Sequence, residues 1–460
     1  MPTPPAGCTA PPLPPTRPSS TSAAVLQCCS PPPPASERLM TQAVPGSSHT
    51  LALGLADAER PRDWPPITGA EARRVLAGFG LVPRLPPLWQ SARPFSAGAL
   101  FEVAPLPGFR PPGSLPERVF LKRHDHRLRS ASRLETEHAF MRHLMASAQQ
   151  DLHIPLPLTR ITTPADSAQA SSRFSGTTEQ EGGNLYEVFP AFRGEDLYRH
   201  TLSWEPYRSP IHAASAGRML ARLHLASTGF NASDGDVLLM SGGRAVQMPD
   251  LEAGLTTWLP TQPGLLESLA QLGMGAGMED DWRRSLLPAL TPAHQALRPN
   301  LGDVQPLWGH GDWHGSNLSW RPGMVPGKEE VCEVFDFGLS GHTSAPFDLA
   351  VAVERSFIRW MNMGRDPVAW DQLHAFLAGY EAIRPRTLVE RQLTGRFLPL
   401  VHVQFALTEL AYYAALLHDL PTARRDVWSG YLLGHARWFE SPAGQKLIEA
   451  VSANPSGGAG

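Results

Sequence analysis

The hydrophobic pattern changes period along this chain, and the changes mark its elements. At Arg118 to Lys122, Val119 and Leu121 fall on one face of an extended segment and Phe120 and Lys122 on the other, which predicts a half-buried strand. From Arg133 to Met145 the period becomes helical, with Leu134, Ala139, Phe140, Leu144 and Met145 in one stripe. LYEVFPAFRGEDL at 185–197 reads as a strand running into a connector. Ser209 and Pro210 then cap and open a helix whose stripe is Ala216, Met219, Leu220 and Leu223, with His224 structural. Leu318 to Trp320 and Val331 to Phe335 predict a hairpin, because Pro322, Gly323, Pro326 and Gly327 lie between them as turn residues. Long apolar stripes at Trp370–Ala382, Leu388–Leu417 and Asp426–Phe439 predict a helical C-terminal half.

Folding begins near Thr68, where TGAE offers a capping box with Glu71 and a helix ending near Gly80. Residues 1–66 read as a disordered tail, since PPLPPTRP at 11–18 and PPPP at 31–34 cannot build a core. Met40 offers an alternative start. Residues 162–183 have the composition of an inserted loop, and 451–460 read as a disordered end. The 460 residues are 42% hydrophobic, enough for a large core. Three of the four cysteines lie in the tail, and Cys332 falls in a strand, so no disulfide framework is expected and a reducing cytoplasm fits. A net charge of −3 without a basic run argues against nucleic acid as partner, and no apolar run is long enough to span a membrane.

The chemistry concentrates in WGHGDWHGSN at 308–317 and VFDFG at 334–338. His310, Asp312, Asn317 and Asp336 stand in the order and spacing HxDxxxxN followed by a strand-end aspartate. Phosphoryl transfer needs such a set: an aspartate to orient or deprotonate a hydroxyl, and an Asn carbonyl and Asp carboxylate as hard oxygen ligands for Mg²⁺. Two other readings stay open. His310, Asp312 and His314 form the start of a metallohydrolase ligand set, and a nucleotide-binding regulatory protein would carry the same nucleotide residues without transfer.

The loop resembles that of the aminoglycoside phosphotransferase and choline kinase family, which commonly reads HGDxHxxN, with Gly315 here where that family often has proline. The resemblance implies an α+β, two-lobed protein-kinase-like fold, with a small β-rich lobe at 67–190 and a larger helical lobe at 191–450. It implies Asp312, His310 and Asn317 as the catalytic group, with His310 bracing the loop, and Asn317 and Asp336 as the Mg²⁺ ligands. Lys122 would hold nucleotide phosphates and pair with Glu137, Glu135 being the alternative. Ser96 to Ala99, including Gly98, would form a small-residue turn near phosphate, and Glu187 to Phe189 would meet an adenine edge, although core packing also explains these aromatics. Asp348 would support the loop from the start of a helix, and Glu354, Arg355 and Arg359 lie on that helix either as its wet face or as substrate contacts. The expected cofactors are Mg²⁺ and ATP, with GTP an alternative, and the expected acceptor is a hydroxyl on a small molecule.

Overall fold

The computed structural model describes residues 63–453 apart from 92, 109–113, 148–150, 162–175, 202, 234–242, 276, 279–280 and 324. The proline-rich tail up to residue 62, with Cys8, Cys28, Cys29 and Met40, lies outside the described residues, as do most of the expected 162–183 loop and residues 454–460. Helix α1 (Gly69–Ala77) carries the expected capping box: the Glu71 N–H donates to Thr68 Oγ1 at 3.2 Å and the Thr68 N–H to Glu71 Oε2 at 3.1 Å. Its apolar residues Ala72, Val75 and Leu76 face a sheet.

That sheet holds β1 (Leu81–Pro83), β2 (Trp89–Gln90), β3 (Ala97–Pro105), β4 (Arg118–Asp125), β5 (Thr178–Glu181) and β6 (Asn184–Pro190). All pairs are antiparallel in the order β1-β3-β4-β6-β5, with β2 added to β3. The alternation in β4 is the one the sequence predicts: Val119 and Leu121 are buried in the small core, while Phe120 and Lys122 line a cavity on the other face. The polar stretch expected as loop instead contributes β5. Gly182 and Gly183 take positive φ (56° and 79°) and supply the tight turn into β6 that a two-glycine hairpin needs. Helix α2 (Ala131–Ser147) follows β4.

From residue 210 the structure is mostly helical. Helices α3 (Pro210–Ala226) and α5 (Trp370–Glu381) pack closely, with α4 (Ala345–Phe357) buried along its whole length. A Cβ on Gly217 would lie 2.1 Å from the Phe376 carbonyl oxygen, and one on Gly379 would lie 2.2 Å from that of Ala214. The two helices touch backbone to backbone, and neither contact can be relieved by a side-chain rotation. Gly217→Ala is therefore expected to cost about 3 kcal/mol, the upper end for overpacking. A urea midpoint equal to that of the parent would show that the helices do not meet there. The expected Leu388–Leu417 helix is split into Leu388–Phe397 and Val403–Ala411, followed by a wide-turn segment at Tyr412–Leu416. The C-terminal helix runs from Pro442 to Ser452, so 451 and 452 are ordered.

Candidate active site

The loop 310–317 lies between β7 (Leu307–Gly309) and β8 (Leu318–Trp320), with β9 (Val331–Val334) returning beside β8 as expected. Strand β10 (Gly341–Thr343) pairs with β7 and leads into α4. Asp348, on the first turn of α4 and fully buried, fixes the loop. Its Oδ2 accepts from the His310 N–H at 2.9 Å and its Oδ1 from the Gly311 N–H at 2.8 Å. The His224 Nε2 lies 3.0 Å from Oδ2, and its Nδ1 lies 2.7 Å from the Tyr380 hydroxyl. Burial would raise the Asp348 carboxyl, but the His224 bond and the loop amides hold it below the usual carboxylate range.

His310 braces the loop. Its Nδ1 accepts from the Asp312 N–H at 3.3 Å, which leaves Nε2 as the donor to the Phe335 carbonyl at 3.1 Å. Burial lowers its pKa, so the ring is neutral. With both nitrogens engaged, His310 has no lone pair for a metal, which removes the ligand set His310, Asp312 and His314 proposed for a metallohydrolase.

Asn317 Nδ2 lies 2.9 Å from the Asp312 carbonyl, 3.2 Å from Asp312 Oδ2 and 3.2 Å from His314 Nε2. The amide group is thus turned toward the loop, and the Asn317 carbonyl oxygen is left for a cation. Asp312 Oδ1 has no hydrogen-bond donor among the described residues. Arg355 on α4 stands beside it, Nη1 to Oδ1 at 3.2 Å. Burial would raise Asp312, but the Arg355 guanidinium and then His314 hold it well below the usual range, so it is a carboxylate at any working pH.

Lys122 Nζ lies 2.8 Å from Asp336 Oδ1. Burial opposes the Lys122 charge, but Asp336 and then Glu187 raise its pKa, and Lys122 in turn holds Asp336 down against the effect of burial. Asp336 sits at φ 57°, a left-handed conformation that turns its carboxylate back toward β4. Asn317 and Asp336 offer the cavity hard oxygen donors, a set that suits Mg²⁺, which keeps waters and binds phosphate oxygens.

Three expectations are corrected here. Glu137 does not pair with Lys122: its carboxylate joins Arg129 Nη1 and Arg133 Nε (2.9 Å for the latter), two buried cations whose other nitrogens donate to the Gly338 and Ser340 carbonyls. The acid of α2 is consumed in clamping the segment after Asp336. Glu187 offers no main-chain edge to a nucleobase, because it pairs with Lys122 on one side and Thr178 on the other. Its side chain lies between His124 Nε2 (2.8 Å) and His138 Nε2 (2.7 Å), and burial pushes His124 down to about 4. Phe189, beyond the last residue paired with β5, lines the cavity. Ser96 and Gly98 also line it, but Gly98 lies within β3 opposite Lys122, and its missing Cβ makes room for the Phe120 ring. The bend lies earlier, at Phe95 (φ 70°), whose N–H donates to the Tyr412 hydroxyl at 3.1 Å.

One cavity of about 310 Å³ connects these groups, from Phe120, Lys122 and Asp336 to Asp312, Arg355 and Glu409. Arg355, which the sequence left open between the wet face of its helix and a substrate contact, lines this cavity, and α4 has no wet face. Its Glu354 is buried with Oε1 2.6 Å from His435 Nδ1. Burial pushes Glu354 up to about 7 against the pull of Arg355 and His402. The folded pKa then exceeds the usual 4.5, so the native state binds the extra proton between those values and loses stability as pH rises through them. Glu354→Gln is expected to flatten that slope, measured as the denaturation midpoint at pH 5 and pH 8. A parent and variant with the same pH profile would contradict the assignment.

Residues 113–386 match the model of the phosphotransferase enzyme family (APH). The chain belongs to this family. Among relatives, the chain is 27% identical over 186 residues to a homoserine kinase of Polaromonas naphthalenivorans (strain CJ2), covering 40% of this chain and 48% of that protein. It is 28% identical over 184 residues to a homoserine kinase of Cupriavidus metallidurans, covering 39% and 47%. The chain thus spans about half the length of the curated relatives it matches. A microcompartment-associated aminopropanol kinase of known structure superposes with a TM-score of 0.50 at 18% identity, over 82% of this chain and 99% of that one. The fold is the two-lobed, protein-kinase-like one. Among the described residues, no helix is long and apolar enough to cross a membrane.

Proposed function

We propose that the protein is an ATP- or GTP-dependent kinase that moves the terminal phosphoryl group to a hydroxyl of a small molecule. The observation that carries this reading is the meeting of the Asp312 carboxylate with Lys122, Asn317 and Asp336 around one cavity. The acceptor hydroxyl donates to that carboxylate and is held in line with the phosphate. Its oxygen forms the new bond to phosphorus, the bond from phosphorus to the bridging oxygen breaks, the nucleoside diphosphate leaves with that electron pair, and Asp312 takes the proton. Lys122 neutralises charge on the leaving phosphates. Asn317 and Asp336 would hold Mg²⁺, which supplies further charge neutralisation when bound. Phe189 lines the same cavity and would offer its ring to the nucleobase. The homoserine kinases among the relatives support a small hydroxyl acceptor.

The test is ADP or GDP release in a coupled assay with Mg²⁺, each nucleotide, and panels of amino alcohols, hydroxy amino acids, sugars and aminoglycosides. Acceptor-dependent release is the expected result. A nucleotide that raises the melting temperature while no acceptor stimulates release would favour the regulatory reading instead.

A further inference from the structure

The stretch that leads into β3 is anchored to the helical lobe. The Phe95 N–H donates to the Tyr412 hydroxyl at 3.1 Å, and the Phe95 ring stands 4.4 Å from the Tyr412 ring and 6.0 Å from that of Phe405, centre to centre. Phe95 accordingly packs against the core of the helical lobe, and Arg93 Nη2 donates to the Thr201 carbonyl at 3.0 Å. A left-handed φ of 70° at a phenylalanine persists only where the surroundings enforce it.

Tyr412, fully buried, does this with every bonding position of its hydroxyl in use. Besides the Phe95 N–H, the oxygen accepts from Trp64 Nε1 at 3.1 Å, and it donates its proton to Asp63 Oδ2 at 2.9 Å. A phenol offers one donor and two acceptor positions, and these three partners fill them. Burial and then the Asp63 charge push the Tyr412 pKa up, so the hydroxyl keeps its proton. Three segments far apart in the chain, 63–64, 95 and 412, meet at one oxygen.

The anchored stretch lies against the reacting groups. Gly98 stands opposite Lys122 in the sheet. At the other end, the Phe405 ring beside Phe95 has its centre 5.0 Å from the guanidinium carbon of Arg355, the residue that pairs with Asp312. Residues 95–98 thus run from the aspartate side of the cavity to the lysine side, and Phe95, Ser96 and Gly98 form that part of its wall. A wall held there keeps bulk water from the terminal phosphate.

We propose that Tyr412 is a positioning residue for phosphoryl transfer: its hydroxyl, aimed by Asp63 and Trp64, holds residues 95–98 over the line between Lys122 and Asp312, so that the acceptor and not water meets the terminal phosphate. This goes beyond the kinase reading above and rests on it. The nucleoside diphosphate leaves past the same wall, so the bond to Phe95 also slows its release. When the wall lifts, the oxygen of a water forms the bond to phosphorus, and the nucleoside diphosphate departs with the electron pair of the bond that breaks. Asp312 takes a proton from that water, and the product is inorganic phosphate.

The experiment uses the full chain and Tyr412→Phe, which removes the hydroxyl and keeps the ring stacked on Phe95. Two quantities are read with Mg²⁺ present: the ratio of inorganic phosphate to phosphate ester at saturating acceptor, and the stopped-flow dissociation rate of a fluorescent analogue of ADP or GDP, whichever the protein binds. Each is expected to rise about 10-fold in the variant, the scale of one lost hydrogen bond. A purely structural role for Tyr412 would lower the ligand-free melting temperature and leave both quantities at their parental values, and that result overturns the proposal. Phe95→Gly relaxes the left-handed residue and takes nothing from the helical lobe, so it should move both quantities in the same direction. It serves as the test where Tyr412→Phe fails to fold, and parental values in it then overturn the proposal. If no acceptor is phosphorylated, the kinase reading fails alone, and the dissociation rate still supports or overturns the role of Tyr412. A retained nucleotide-induced rise in melting temperature certifies that each variant is folded.

Discussion

Asp312→Asn lowers kcat by about 10³-fold in this account, within the range for losing a positioned acid or base, while nucleotide affinity changes by only a few-fold. The expectation follows from where the two oxygens go. Oδ2 meets the Asn317 amide, Oδ1 is buried beside Arg355, and the carboxylate as a whole lines the cavity. Asparagine keeps the volume but loses the charge that accepts the proton, and it leaves Arg355 without its counter-ion. The nucleotide meets Lys122 and Asp336 instead, so kcat should fall and the nucleotide KM should hold. Near-normal turnover in Asp312→Asn would remove Asp312 from the reaction.

Asp348→Ala should be the most damaging substitution for the folded state among the site residues, costing about 3–5 kcal/mol, the range for breaking a buried charged pair. It strands two loop amides and His224 in an interior where Asp348 is the common acceptor. Asp348→Asn is a milder probe, because it keeps the volume but turns an N–H toward one of the donors it replaced. The pH dependence has a definite sign: the folded pKa is depressed, so this stabilisation is present above the unfolded value and is lost as pH falls toward the folded one. Denaturant midpoints followed from neutral pH down through and below the ordinary carboxyl value of 3.8 measure it. A midpoint for Asp348→Ala within experimental error of the parent would show that the loop is held by something else.

These two residues also show how much was legible in the sequence. The loop HGDWHGSN, the hairpin after it and the aspartate that opens α4 are local patterns, each fixed by residues a few positions apart, and the structure places them as read. The alternation in RVFLK was equally local, and it put Lys122 on the cavity face. What failed was pairing between distant segments. Glu137 was the natural partner for Lys122 by order along the chain, but nothing in the sequence says that Arg129 and Arg133 reach across to the carbonyls of Gly338 and Ser340 and claim its carboxylate. Strand β5 was hidden because TEQE on a sheet edge has no apolar alternation to detect, and the signal that marks it is the Gly182-Gly183 turn. Arg355 was undecidable for a related reason. A charge on a helix reads as solvent-facing until burial of the whole helix is known, and that burial is a property of the packed lobe.

The central claim is that the protein forms a phosphate ester on a small-molecule hydroxyl through Asp312. The most direct test is ³¹P NMR of the reaction of the full chain with Mg²⁺, ATP and the acceptor panel, parent against Asp312→Asn. The account predicts a new phosphomonoester resonance that grows with ADP in the parent and is absent over the same interval in the variant. ADP appearing with inorganic phosphate alone, or an ester formed equally by both proteins, would contradict it.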